Sequence, residues 1–290
     1  MNTEKSQVKS RLQLIATPVV LTVAALLIIV PAGLIWHAQW SIQNGHLTYV
    51  GAAIMLQNYN PKAVGDDASN TARLEMDLFL NKEDVTMTPS AAEYLSTHFR
   101  RSLIIGARDL TPKVAKGLGQ SPCWITLVNL ESPSLETLSA LAAGSFPVMT
   151  LSLPHPTMEE AEILSQFTGD HLMILKVGQL TEESAKAFAQ SKSDGLALEN
   201  LESLSGEAAA ALGRFNGNEL VLGLNEVTDE AALALRQFPG SLTLTHVKSI
   251  SESAAKVLSE RKRFKCYSGR IRDQAFETLP AATADLLRKP

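Results

Sequence analysis

A Ser or Thr standing before a short Ala-rich stretch recurs along this chain at a nearly fixed spacing. Thr88, Thr111, Ser134, Thr157, Thr181, Ser205, Thr228 and Ser251 follow one another at intervals of 23 or 24 residues, and Asp273 extends the series by 22. Self-similarity at this period means a stack of like supersecondary units rather than one globular core. Such an array offers extended surfaces and no natural catalytic pocket, so the pattern speaks to binding before it speaks to chemistry.

The unit is clearest in the middle of the chain. From Leu172 it reads LMILKVGQLTEESAKAFAQSKSDG, from Leu196 LALENLESLSGEAAAALGRFNGNE, from Leu220 LVLGLNEVTDEAALALRQFPGS and from Leu242 LTLTHVKSISESAAKVLSERKR. Each opens on an L-x-L-like run with the period of two expected of a short strand. A polar turn follows, then the Ser or Thr, whose side-chain oxygen is a preferred acceptor for an orphan N–H at a helix start. Acidic residues crowd the next turn (Glu182 and Glu183, Glu207, Asp229 and Glu230, Glu252), where the helix dipole favours negative charge. Ala and Leu then form one apolar stripe, as in Ala208, Ala211 and Leu212 or Ala231, Leu235 and Phe238. Gly169, Gly195, Gly217 and Gly240 are expected to close the helices before the next strand. An Ala/Leu-rich helical array without strands is the competing reading; the constant distance from each L-x-L run to its cap favours strands.

This strand–turn–helix unit resembles a leucine-rich repeat, in the short bacterial form LxLxxLxxLSxEAAxALxxFxG. The resemblance covers roughly residues 72–280; it is strongest from Leu172 to Leu258 and weaker around Ser134 and Asp273. It implies an α/β solenoid, with parallel strands lining a concave inner face and short helices outside. Leu153 and Leu201 stand where the commonest leucine-rich pattern carries Asn.

The first 61 residues differ from the rest. After Arg11 no Asp, Glu, Lys or Arg appears until Lys62, and Leu14–Trp36 is almost wholly apolar. As a helix, that segment would extend ~34 Å at ~1.5 Å per residue, enough for a hydrocarbon core of ~30 Å. Pro18 falls in its first turn, Pro31 would bend it near its far end, and Trp36 and Trp40 stand where an aromatic belt belongs. Lys5, Lys9 and Arg11 precede it, while residues 37–61 carry no basic group. The positive-inside rule then leaves the first eleven residues in the cytoplasm and sends the repeats outside. A cleaved signal peptide would need a shorter apolar core and an A-x-A-like site, and neither is evident.

The expected organisation is a cytoplasmic tail (1–11), a membrane anchor (12–36) contacting lipid through 14–36, a juxtamembrane segment and linker (37–71), and about nine repeats (72–290). That corresponds to a single-pass protein of a bacterial inner membrane with an extracytoplasmic or periplasmic repeat domain. Within 37–71 the run HLTYVGAAIML (46–56) is too short to span. It could lie in the membrane interface, pack on another subunit, or pair with LEMDLFL (74–80), whose Leu74, Met76, Leu78 and Leu80 share a face.

Composition sets limits on partners. The chain holds 26 Lys and Arg against 30 Asp and Glu; outside the first 61 residues this becomes 23 against 29. A repeat domain with that acidic balance is a poor binder of nucleic acid. Cys123 and Cys266 lie six units apart, about 30 Å at ~5 Å per strand, beyond disulfide reach. His37, His46, His98, His155, His171 and His246 include no pair at i, i+4, and no HExxH, P-loop, GxGxxG or GxSxG occurs. The pairs Glu159–Glu160 and Glu182–Glu183 fall in first turns of helices, which accounts for them without catalysis. The expectation is a protein that is not an enzyme and uses no metal or cofactor.

Two surfaces remain. If Leu196 and Leu198 point inward, Ala197 and Glu199 face the concave side, and by the same register so do Thr126, Val128, Met173, Leu175, Val221, Thr243, Thr245, Lys265 and Tyr267. The register near Leu151 is ambiguous and gives no candidates. An apolar, weakly charged sheet of this kind suits a protein partner better than a sugar. The second surface is the basic run near the C-terminus, Arg261, Lys262, Arg263, Lys265, Arg270 and Arg272. It reads either as a solvated end cap or as a contact for an acidic partner or anionic envelope polymer. The leading expectation is a non-catalytic subunit that binds another protein of an inner-membrane complex. The alternative is a surface adhesin or sensor that holds an anionic polymer through the basic cap.

Overall fold

The computed structural model describes residues 46–47, 86–98, 102–266, 283–284 and 287. The proposed anchor with Trp36 and Trp40, the strand 74–80, and Tyr267, Arg270, Arg272 and Asp273 lie outside the described residues. Among the described residues no helix is long and apolar enough to cross a membrane.

Eight short helices alternate with eight strands. The helices are α1 (Pro89–His98), α2 (Pro112–Leu118), α3 (Leu135–Ala142), α4 (Met158–Leu164), α5 (Glu182–Ala189), α6 (Gly206–Leu212), α7 (Asp229–Leu235) and α8 (Glu252–Ser259). The strands are β1 (Leu103–Gly106), β2 (Ile125–Val128), β3 (Val148–Ser152), β4 (His171–Leu175), β5 (Gly195–Leu201), β6 (Glu219–Leu224), β7 (Ser241–Thr245) and β8 (Phe264–Cys266). The strands form one parallel sheet whose spatial order is their sequence order. The helices likewise touch their sequence neighbours in turn. The fold is therefore α/β, a parallel sheet of strands alternating with helices, as a repeat stack requires. Two-residue parallel pairings add to it: Glu226–Val227 with Ser249–Ile250, and His46–Leu47 with Thr86–Met87.

The register explains why each strand begins with alternate apolar residues. Leu103, Ile125, Met149, Leu172, Leu196, Leu220, Leu242 and Phe264 pair in one continuous row. Ile105, Leu127, Leu151, Ile174, Leu198, Leu222, Leu244 and Cys266 lie two residues further along, and every one of them is buried. Burial of each such side chain contributes about 1.5–3 kcal/mol, so the sheet is held mainly by rows no single unit could bury alone. At the position where Asn is common in leucine-rich repeats stand Leu130, Leu153, Val177, Leu201, Leu224 and Val247, all buried. An aliphatic spine fills that place.

The Ser and Thr series performs as its chemistry dictates. From α2 onward every helix has an extended N-cap residue whose side-chain oxygen accepts the N–H three residues on, as in Ser205 with Ala208 at 3.1 Å and Ser251 with Ala254 at 3.0 Å. Thr88 accepts from Ala91 at 3.2 Å in the same way. Glu160 completes a capping box by accepting the Thr157 N–H at 2.8 Å, and Glu182 pairs with Lys186 at 2.6 Å. Two further hydroxyls join one unit to the one before. Thr137 donates to Leu110 O at 2.9 Å, and Ser184 donates to Pro156 O at 2.7 Å.

The glycines need a different explanation from the one the sequence suggested. The helices end on right-handed residues such as Gly119, Ala143, Ser165 and Gly213, and Gly178 (φ 66°) is the only described glycine with positive φ. Gly169, Gly217 and Gly240 each follow by two residues a buried Phe: Phe167, Phe215 and Phe238. A Cβ on Gly217 would stand 2.3 Å from the Phe215 ring and 2.4 Å from Asp194 O of the preceding unit. These glycines admit an aromatic ring and a neighbouring carbonyl; they are not left-handed helix caps. The rings stack down the interior, with centroids 6.0 Å apart for Phe215–Phe238 and 6.4 Å for Phe146–Phe167. That separation lies within the favourable range for aromatic pairs.

Candidate functional site

On the other side of the sheet the same register assembles a second pair of rows. Ile104, Thr126, Thr150, Met173, Ala197, Val221, Thr243 and Lys265 are direct partners across β1 to β8. Seven of these eight are uncharged, and they vary from Ala to Met in size. Ala197 and Thr243 are sunk among larger neighbours; Thr126, Met173 and Val221 are half-buried, and Lys265 is exposed. The next outward row holds Gly106 beside Val128, Ser152 beside Leu175, and Gly223 beside Thr245. All expected inner-face residues that fall in the described segment therefore lie in one of two adjoining rows. Thr150 and Ser152 supply the members that the ambiguous register at Leu151 left out.

Glu199 is the one carboxylate in these rows, and its charge is already engaged. Its Oε2 accepts from Thr245 Oγ1 at 3.0 Å and lies 3.5 Å from His246 Nδ1, which is itself 3.2 Å from Thr245 Oγ1. The side chain passes over Gly223, where a Cβ would come within 2.3 Å of that same oxygen. Glycine at 223 therefore makes this two-unit bridge possible. A single carboxylate held by a threonine and a histidine rigidifies the face. No nucleophile stands beside it, and among the described residues no group of three His, Cys, Asp or Glu could hold a metal ion.

The basic end of the stack divides into two kinds of residue. Arg261 is turned into the fold: Nη1 donates to Leu235 O at 3.0 Å and to Arg236 O at 2.5 Å, and Nη2 donates to Gly240 O at 2.9 Å. Its guanidinium lies 5.9 Å from the Phe238 ring centroid. These carbonyls are the exposed C-terminal end of α7, where a cation is favoured by the dipole. Burial lowers the pKa of Arg261 from its ordinary value, although a guanidinium so far above neutrality stays charged. Lys262, Arg263 and Lys265 are exposed. Of the basic set, the surface described here therefore consists of those three, with Arg261 serving as a helix cap.

A smaller feature lies at the carboxyl ends of β1 to β4 and was not legible in the sequence. Arg108, Asn129, Ser152, Pro154 and Lys176 line a pocket of about 180 Å³, with Glu131 on its rim. Asn129 and Lys176 follow their strands in the left-handed region, at φ 63° and 60°, as Asn200 and His246 do in later units. Lys176 Nζ donates to Asn129 Oδ1 at 3.4 Å, reaching across the intervening unit. Arg108 Nε lies 3.8 Å from Glu131 Oε1. Ser152 is 98% buried, and its hydroxyl has no hydrogen-bond partner among the described residues. The only sequence hint was a polar residue in an otherwise apolar strand. When compared with protein-family models, curated proteins and solved structures, the chain matches none of them.

Proposed function

We propose that this chain is a membrane-anchored leucine-rich-repeat protein whose open sheet face docks another protein, as a non-catalytic subunit of a bacterial inner-membrane assembly. The observation that carries the reading is the row from Ile104 to Lys265, an ordered and nearly uncharged strip running across eight strands. An extended surface with few charges, at which side chains are pre-positioned by the sheet, loses little ordering entropy on binding. The apolar leader 14–36 supports the anchored, extracytoplasmic arrangement through its length and flanking charge. The polymer-binding alternative draws on Lys262, Arg263 and Lys265, since the Arg261 guanidinium is already held by three carbonyls.

Gentle solubilisation followed by native electrophoresis tests the proposal. A complex larger than the monomer is expected, and substitution of Val221 or Thr126 by Arg should dissolve it while leaving the thermal unfolding of the chain unchanged. A chain that migrates alone at its monomer mass would overturn the subunit reading. Loss of the complex on reversing Lys262 and Arg263 to Glu, with Val221→Arg harmless, would transfer the function to the basic end.

A further inference from the structure

We infer that the pocket at the ends of β1 to β4 is a carboxylate-binding site, built from Arg108, Asn129, Ser152 and Lys176. The inference rests on the polarity of what converges there. Lys176 contributes an ammonium with three donors, one of them directed to Asn129 Oδ1 at 3.4 Å. Arg108 contributes a planar fork suited to bidentate contact with a carboxylate. Ser152 contributes a buried hydroxyl whose only unmet need is a partner. A bound oxygen reaching the pocket floor would accept from that hydroxyl, which a cation could not do.

Charge and size narrow the ligand further. Two cations against the single carboxylate of Glu131 leave the lining at a net of one positive charge, which matches a monoanion. A space of about 180 Å³ admits a carboxylate with one or two carbons, or several waters at about 30 Å³ each. Glu131 already occupies the Arg108 side of the rim at 3.8 Å, so an incoming carboxylate competes with an internal one. The site is in this sense self-occluded, and the internal carboxylate sets how tightly an external one is held. On the docking reading above, the natural source is an Asp or Glu side chain of the partner laid across the sheet; a free small carboxylate has the same chemistry.

Calorimetric titration of the full chain in detergent micelles tests this, using acetate, a short peptide bearing one Asp, inorganic phosphate and neutral acetamide as probes. Acetate is expected to bind saturably, with a dissociation constant on the order of millimolar, as befits so small a ligand. Lys176→Asn removes the charge but keeps a residue tolerant of positive φ, and should weaken binding about tenfold. Ser152→Ala should weaken it as well, whereas Glu131→Gln should tighten it several-fold by removing the competitor, an effect that general damage to the fold could not produce. Binding of the peptide in addition to acetate assigns the site to a protein side chain; acetate alone assigns it to a free carboxylate. Preference for phosphate, equal binding of acetamide, or indifference to Lys176→Asn would each overturn the inference. Val221→Arg should leave acetate binding intact, so failure of the docking reading and failure of this site are separately visible.

Discussion

Arg261 donates to the carbonyl of Leu235, 26 residues earlier, at 3.0 Å, and so closes the end of α7 from the following unit. The same guanidinium reaches Arg236 O and Gly240 O. Arg261→Ala leaves three carbonyls without this donor and should destabilise the domain by about 2–3 kcal/mol, measured by chemical denaturation. Arg263→Ala, at an exposed neighbour, should stay within about 0.5 kcal/mol. Arg261→Lys should not rescue the loss, because one ammonium cannot span the carbonyls a planar fork does. Equal effects at 261 and 263 would refute the capping role.

Asp229 is linked to the next unit through the hydroxyl of Ser251. That hydrogen bond, aided by Ser253, holds the Asp229 carboxyl below its ordinary pKa. A carboxyl depressed in the folded state lends stability that is present above its unfolded pKa, about 3.9, and is lost as pH falls through the lower folded value. NMR titration should find Asp229 below its usual range, and Ser251→Ala should raise it. An unchanged Asp229 in that variant would exclude the link. The substitution also removes the α8 cap, which should lower stability by about 1 kcal/mol at neutral pH.

Gly217→Ala should behave as an overpacking substitution. The added methyl meets the Phe215 ring at 2.3 Å and Asp194 O at 2.4 Å, so both a side chain and a neighbouring unit must move. A loss of about 1–3 kcal/mol in urea denaturation is expected, from sterics alone, since the backbone there needs no positive φ. Phe215→Ala should cost about 3–5 kcal/mol by emptying the aromatic column. If Gly217→Ala is neutral, the ring and carbonyl do not constrain that position.

Ser152→Ala should make the ligand-free protein more stable by about 1 kcal/mol, because an unsatisfied buried hydroxyl is replaced by a methyl group of nearly the same shape. Thr137→Ala, whose hydroxyl donates to Leu110 O, should do the reverse by a similar amount. Paired melting curves of the two variants decide the matter: a loss at Ser152 would mean that its hydroxyl is already satisfied.

The strands and caps were legible because their causes are local. An alternation of two residues and a hydroxyl three positions before an N–H act within a few residues of each other, so Leu196, Leu198 and Ser205 announced themselves. Strand β3 did not, since all five residues of VMTLS are buried and no polar residue marks a side. The glycines after Phe167, Phe215 and Phe238 were given to helix ends because the carbonyls and rings they admit belong to the tertiary stack. Arg261 read as a solvated charge for the same reason: its acceptors lie 21 to 26 residues away. The left-handed turn after each strand could be guessed at Asn129 and Asn200, but Lys176 and His246 carry no such signal.

Because spatial order repeats chain order throughout the eight strands, each layer is anchored only to the layer before and the layer after. A tug along the pile would therefore be resisted locally and released by the layer. One freed unit of about 23 residues would trade roughly 5 Å of pile for about 80 Å of slack tether, a large yield of reach from a small rupture.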